Sequence, residues 1–391
     1  MIYTISALLL FLIYILLLLA ALSTRLFQKN YTAPPVQTPL PSCAVIIPCK
    51  GFSEDLERNL SAFCHLSHPN YTLLFVVEDA HDPAAEVIRT VCATTQKGTL
   101  IVAGRTKTSC QKNHNLRAGV AHAKDVDILL FADADIQPSP HWLESMIAPL
   151  STTDVTAVTG FRWLYSRTNT LGSSAHAFQN YCIFIAFSLS SRLWNGGLWG
   201  GSTAISRQDY DELGVDDLWS HTGVDDLSLS QHIRRHKRKS VLAYSCLTET
   251  DKTIRSYTKS ISWYIRQVQY LKFYQRRDWY GAIAMAVIHQ ASIILSVSTL
   301  LIAPHLFHGW AGIVALLLTG GPMIVALPFF TLGKSGSPWF FIATAPISFF
   351  SVTWALLYSC TSNTIRWSGY AYQMDSKGTV QKITDVKGAS S

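Results

Sequence analysis

Charge is scarce in this chain: 15% of its 391 residues are Asp, Glu, Lys or Arg, against 49% hydrophobic. A soluble protein is ordinarily less greasy and more charged, so part of this chain belongs in lipid. The dinucleotide fingerprint Gly-x-Gly-x-x-Gly is missing after the first apolar strand, and no complete phosphate loop Gly-x-x-x-x-Gly-Lys-Ser/Thr occurs. Phosphate groups must therefore be handled by a metal ion and by side chains. The eight cysteines, Cys43, Cys49, Cys64, Cys92, Cys110, Cys182, Cys246 and Cys360, show neither paired zinc spacing nor a dense disulfide pattern. That leaves reduced, mostly buried thiols. The basic run Arg234-Arg235-His236-Lys237-Arg238-Lys239 is short and close to apolar segments, which argues against a nucleic-acid binder and for a solvated face touching anionic lipid.

Apolar residues are concentrated at the two ends: Ile2 to Leu22, then Ala282 to Ala303, Ala311 to Phe330 and Trp339 to Leu357. Each is near the ~20 residues that cross the hydrocarbon core as a helix. No Lys or Arg precedes the first segment, the apolar run is long, and Arg25 and Lys29 follow it. The pattern is that of an uncleaved anchor rather than a signal peptide, with the following domain in the cytoplasm. One span before the domain and three after it would place Arg366, Lys377, Lys382 and Lys387 on the far side, against the positive-inside rule, so one segment is expected to be re-entrant or interfacial. The expected organisation is an anchor over residues 1–30, an α/β domain over 31–258, an amphipathic interfacial helix over 259–280, membrane helices over 281–360 and a tail over 361–391.

Within the domain, strand and helix patterns alternate. Ala44–Pro48, Leu73–Val77, Leu100–Ala103 and Ile128–Ala132 read as buried strands, separated by helices over 55–65, 83–95 and 111–123. This predicts a mostly parallel sheet with helices on both faces and ligands beyond the carboxyl ends of its strands. Two strands end in acids there: Glu78 and Asp79 after the second, and Asp133-Ala134-Asp135 after the fourth. Two carboxylates aimed into one crevice repel unless a cation joins them, and a hard divalent ion is the natural occupant. Asp79 alone reads equally well as a solvated turn aspartate.

Beyond Pro140 the pattern loosens, with a strand over 155–159 and a long apolar stretch over 171–191. Trp194-Asn195-Gly196-Gly197-Leu198-Trp199-Gly200-Gly201-Ser202 then breaks all regularity, its glycines admitting a ligand beside flat tryptophan surfaces. An acceptor-facing or membrane-facing wall is the reading favoured over a plain loop. Thr222-Gly223-Val224-Asp225-Asp226 predicts a helix start, with Thr222 as cap and Asp225 in the reciprocal position. From Ser260 to Arg277 the spacing is amphipathic, and Arg266 there could face lipid phosphate or a substrate diphosphate.

Taken in order, Asp79, Asp133-Ala134-Asp135, Asp225-Asp226 and the Arg266 helix resemble the family 2 type glycosyltransferases, most closely the ceramide glucosyltransferase branch. The resemblance covers about Cys43 to Tyr270. It implies a glycosyltransferase-A fold facing the cytoplasm, a nucleotide-diphosphate-sugar donor such as UDP-glucose or UDP-N-acetylglucosamine, Mg2+ or Mn2+, and inverting transfer of one sugar to a lipid hydroxyl. Carried over by position, Glu78 and Asp79 belong to the donor's nucleoside end, Lys112 and Arg266 to its phosphates, and Asp133 with Asp135 to the metal. Trp199, Gly200, Gly201, Ser202 and Asp225 fall on the acceptor side, and Asp226 becomes the general base. Ile365-Arg366-Trp367-Ser368-Gly369-Tyr370 resembles a Trp-Arg-Gly-like segment after the last span of these enzymes. One motif departs: Arg266-Gln267-Val268-Gln269-Tyr270 stands where the family has (Gln/Arg)-x-x-Arg-Trp, which argues against polymer synthesis. The competing readings are a polyprenyl-phosphate sugar transferase, a polysaccharide synthase and an inactive membrane scaffold that keeps the fold.

Overall fold

The computed structural model describes the chain apart from residues 37, 153, 194–196, 307–308, 330–335 and 387–391. Trp194, Asn195, Gly196, Phe330 and Lys387, singled out above, lie outside the described residues. The chain forms two compact units. A sheet unit comprises 31–162, 190–250 and the tail from Thr364 onward; a helical unit comprises 1–30, 163–189 and 251–363.

The sheet unit is built on β1 (Cys43–Pro48), β2 (Tyr71–Val77), β3 (Thr99–Val102), β4 (Ile128–Ala132), β5 (Val155–Tyr165), β6 (Ser202–Ser206) and β7 (Lys239–Asp251), in the order β3-β2-β1-β4-β6-β5-β7. Because strand side chains alternate, each strand feeds two cores. Val45, Ile47, Phe75, Val77 and Leu130 meet Leu60, Phe63, Ile88 and Trp142 on one face. Ile46, Val76, Leu129 and Phe131 meet Leu116, Val120, Trp219 and Leu229 on the other. The β1–β2, β2–β3 and β1–β4 pairs are parallel, as the alternation predicts. The other half departs from that expectation: β6 runs antiparallel to both β4 and β5. The chain enters β6 at the edge where β4 ends, Ser202 opposite Ala132, so it can only run back along its neighbour.

The tail forms a second, antiparallel sheet of β8 (Thr364–Trp367), β9 (Tyr370–Met374) and β10 (Val380–Asp385). It folds within the sheet unit, where Thr379 bridges Thr222 and the Val380 N–H donates to the His221 carbonyl at 2.9 Å. Among the described residues, three helices are long and apolar enough to cross a membrane: Ile2–Lys29, Arg276–Ile302 and Pro338–Thr361. Two of them lie between domain and tail. The third apolar segment there, Trp310–Ala326, has 17 residues, short of the ~20 that span comfortably.

In the helical unit, the stretch expected to continue the α/β domain instead forms the helix Leu171–Leu193, whose 171–189 portion belongs to this unit. Its aromatic face explains the difference. Tyr181 and Phe184 pack on Trp163, and the Tyr181 hydroxyl donates to the Val325 carbonyl at 2.9 Å. The amphipathic segment forms one helix with a buried side. Helix Tyr257–Tyr274 buries Tyr264, Val268, Gln269, Tyr270 and Phe273 within the protein. Tyr257 donates to the Ile347 carbonyl at 2.6 Å, and Lys272 reaches the carbonyls of Ser359, Cys360 and Ser362 at 3.3–3.4 Å. A cation there satisfies the carbonyls left over at the end of helix Pro338–Tyr358.

Candidate active site

The site follows from the β4–β6 register. Ala132 opposite Ser202 brings the first residue beyond β4 alongside the glycines before β6, and the Asp133 N–H donates to the Gly201 carbonyl at 3.2 Å. Opposite them lies the helix Gln111–His122. Its polar first turn is mostly spent on holding loops. Gln111 bonds the Gly104 carbonyl and Asn115 at 2.8 Å, and Asn113 donates to the Thr222 hydroxyl at 3.0 Å. Lys112 takes a different direction. Its ammonium sits 2.8 Å from Asp133 and 3.0 Å from Asp225, and donates to the Gly200 carbonyl at 3.2 Å. Burial works against this charge, but Asp133, Asp225 and Asp226 more than offset it and hold the lysine protonated.

Asp226 is anchored differently. One carboxylate oxygen accepts the Gly200 N–H at 3.0 Å, and the other accepts the Leu227 N–H at 2.6 Å. Burial first, and then the Asp225 charge, push its carboxyl up to about 7 against the pull of Lys112 and those two N–H groups. The expected capping arrangement is not formed: the helix runs Asp226–Arg235, Asp225 precedes it without a side-chain cap, and the Thr222 hydroxyl donates to the Leu218 carbonyl. Lys112 has claimed the Asp225 carboxylate, and a charged pair outcompetes a capping hydrogen bond.

Gly200 is required by proximity. A Cβ there would lie 2.1 Å from an Asp225 oxygen and 2.9 Å from the Lys112 nitrogen. Gly200→Ala must displace that pair, and transfer is expected to fall about 10²-fold, a misplacement effect read from single-turnover rates. At Gly201 a Cβ would strike the Trp199 ring at 2.1 Å.

Asp135 pairs with a residue that the motifs do not contain, Arg162 of β5. The guanidinium also lies 5.8 Å from the centre of the Trp199 ring. Its one sequence signal is a cation set between the bulky apolar residues Phe161 and Trp163-Leu164. Glu78 receives the Tyr370 hydroxyl and the Lys50 ammonium, the latter at 3.0 Å. Asp79 is exposed and accepts the His81 N–H at 2.9 Å, a turn contact. Ser202 points into the core, where it accepts the Trp142 indole N–H at 2.9 Å, so its side chain serves packing. Arg266 belongs to helix Tyr257–Tyr274 of the helical unit. The sheet unit by itself therefore gathers Lys112, Asp133, Gly200, Asp225 and Asp226, with Asp135 on Arg162 two residues along. In the basic run, Arg238 meets Glu212 at 3.3 Å and Lys239 meets Asp154 at 2.7 Å, so at least these two serve intramolecular pairs.

A family model described as Glycosyl transferase family 21 matches residues 5–380. The chain belongs to glycosyl transferase family 21. The glycosyltransferase part of the resemblance is thereby supported, at the level of family 21. Glucomannan 4-beta-mannosyltransferase 7 of Arabidopsis thaliana is 24% identical over 219 residues, which are 49% of this chain and 39% of that protein. The chain thus spans well under two thirds of that relative. Mannosyltransferase PcManGT from Pyrobaculum calidifontis, solved in complex with GDP-Man and Mn2+, matches with a TM-score of 0.51 at 18% identity, over 90% of this chain and 97% of that one. At such identity the likeness speaks for the fold alone, the glycosyltransferase-A type.

Family 21 membership raises the question of a metal. Among the described residues, no three His, Cys, Asp or Glu side chains gather as a preformed cage. Asp133 and Asp135 supply oxygen donors, each already beside a cation. Such a pair fits Mg2+ or Mn2+ held by one or two carboxylates and completed by phosphate oxygens and water.

Proposed function

We propose that this family 21 glycosyltransferase moves one sugar, with inversion, from a nucleotide-diphosphate sugar to the hydroxyl of a membrane lipid such as ceramide. UDP-glucose or UDP-N-acetylglucosamine is the preferred donor in this reading, and the site faces the cytoplasm. The observation that carries it is Asp226. Its carboxylate is oriented by two backbone N–H groups, its pKa is raised toward neutrality, and it stands one residue from the Asp225–Lys112–Asp133 chain. That is what a general base needs beside a charge-stabilising group.

Inversion needs one base and no covalent sugar–enzyme intermediate. Asp226 takes the proton of the acceptor hydroxyl as that oxygen attacks the anomeric carbon from the face opposite the diphosphate. Lys112 faces the charge that develops on the departing diphosphate, a task the sequence resemblance also gives to Arg266. Asp135 and Asp133 would hold a divalent ion, which when bound supplies Lewis-acid neutralisation of the leaving group. The three long apolar helices support a lipid acceptor, and the missing Arg-Trp pair after Arg266 counts against a polymer.

The test is incubation of the membrane-embedded protein with labelled UDP-glucose, UDP-N-acetylglucosamine and GDP-mannose plus lipid extract, followed by mass identification of the labelled product. GDP-mannose enters because the two relatives named above are mannosyltransferases. One sugar on a neutral lipid is expected. A sugar on a lipid phosphate, a polymer, or no transfer from any donor would each overturn the reading. With a base of raised pKa, kcat/KM should climb with pH, pass half its maximum at about 7 and level off above that. A profile flat from roughly pH 5 to 8 would take Asp226 out of the base role.

A further inference from the structure

The tail sheet is seated on the loops beyond the carboxyl ends of β1, β2 and β3. On β9, Tyr370 is buried and donates its hydroxyl to Glu78, the first residue beyond β2. Lys50, just beyond β1, binds the other Glu78 oxygen and lies 4.4 Å from the Tyr370 ring centre. Arg105, beyond β3, lies 5.1 Å from the centre of the same ring and pairs with Asp385 of β10 at 2.6 Å. Tyr372 accepts the Gln111 N–H at 3.2 Å, at the head of the helix that carries Lys112. Met374 packs on Gly223, three residues before Asp226, so closely that a Cβ on the glycine would lie 2.1 Å from it. Three strand ends and the loop leading to Asp226 are thus tied to one small sheet, although nearly 300 residues separate Tyr370 from Glu78.

We propose that this sheet is part of the donor site, with Tyr370 and Lys50 fixing Glu78 as a rigid acceptor for a donor group at the nucleoside end. The tail would then help set the affinity and selectivity for the nucleoside diphosphate. The inference rests on the transferase reading above for its ligand class. Physically, each carboxylate oxygen has more than one acceptor direction, so Glu78 can receive Tyr370 and Lys50 and still accept a hydroxyl or N–H of a nucleoside. A carboxylate held by two donors loses little freedom on binding, and that preorganisation is where affinity is gained. Tyr370 is a positioning residue here, acting through Glu78.

The experiment is equilibrium binding of UDP and GDP, with Mn2+, to the full detergent-solubilised chain, so that it reads out even if no sugar transfer is ever found. Tyr370→Phe keeps the ring beside both cations and removes only the hydroxyl. It should weaken the preferred nucleotide about tenfold, the scale of one hydrogen bond to a charged group, and narrow the UDP/GDP preference. Where transfer can be followed, the donor KM should rise with kcat nearly unchanged. Glu78→Gln should weaken binding similarly, and adding Tyr370→Phe to it should cost little more, because the two act as one unit. Unchanged affinity and selectivity in a folded Tyr370→Phe protein, or full additivity of the two substitutions, would overturn the proposal.

Discussion

Asp226→Asn is expected to lower the transfer rate by about 10²–10⁴ while leaving nucleotide binding intact. The amide matches the carboxylate in shape, and its oxygen can still accept one of the N–H groups now donated by Gly200 and Leu227, so the loop should keep its position. What it cannot do is take the acceptor's proton. Single-turnover rates with the donor in excess, beside calorimetric titration of the nucleotide, separate the two effects. Near-normal turnover in this variant would remove Asp226 from the mechanism. Asp225→Asn gives the contrasting result, since Asp225 sits 3.0 Å from Lys112: it should weaken stability and donor binding rather than the proton-transfer step alone.

Lys112→Met should cost about 3–5 kcal/mol of stability, the size of breaking a buried ion pair from one side. The volume is nearly kept, so packing is not the cause. Removing the ammonium leaves Asp133 and Asp225 without the charge that joins them, and Asp225 is 4% exposed. Neighbouring Asp226 loses the same compensation. Denaturation midpoints of the solubilised protein measure the loss, and a variant as stable as the parent would show that solvent rather than Lys112 balances these acids. Lys112→Arg restores the charge but not the compact point geometry, so only partial recovery is expected.

Much of the scaffold could be read because its elements are short, uniform and locally determined. β4 and the helix Pro83–Thr95 have the bounds that apolar runs and a first-turn proline predict, with Asp82 accepting the Ala84 N–H as a cap. The misreadings have a different cause. β6 is Ser-Thr-Ala-Ile-Ser, five small or mixed residues with no apolar run to announce a central strand. It becomes one because β4 and β5 offer unpaired edges on either side. Thr222 and Asp225 satisfy a capping pattern in sequence, but Lys112, over 100 residues away, competes for the same carboxylate and wins. In the helix Tyr257–Tyr274 the periodicity shows that one side is covered, and periodicity does not distinguish lipid from neighbouring protein as the cover.

The sequence alone determined the chemistry available: acids at strand ends, one lysine opening a helix, glycines before a strand, and apolar helices at both ends. Those are consequences of residue type and spacing, which act over a turn or a strand. Tertiary structure decided which of these groups meet. Strand register placed Asp133 beside Gly201, burial lifted the Asp226 pKa, Arg162 arrived at Asp135 from another strand, and the tail returned to Glu78. Each depends on contacts between distant segments, where electrostatics and packing act through space, so no local pattern could announce them.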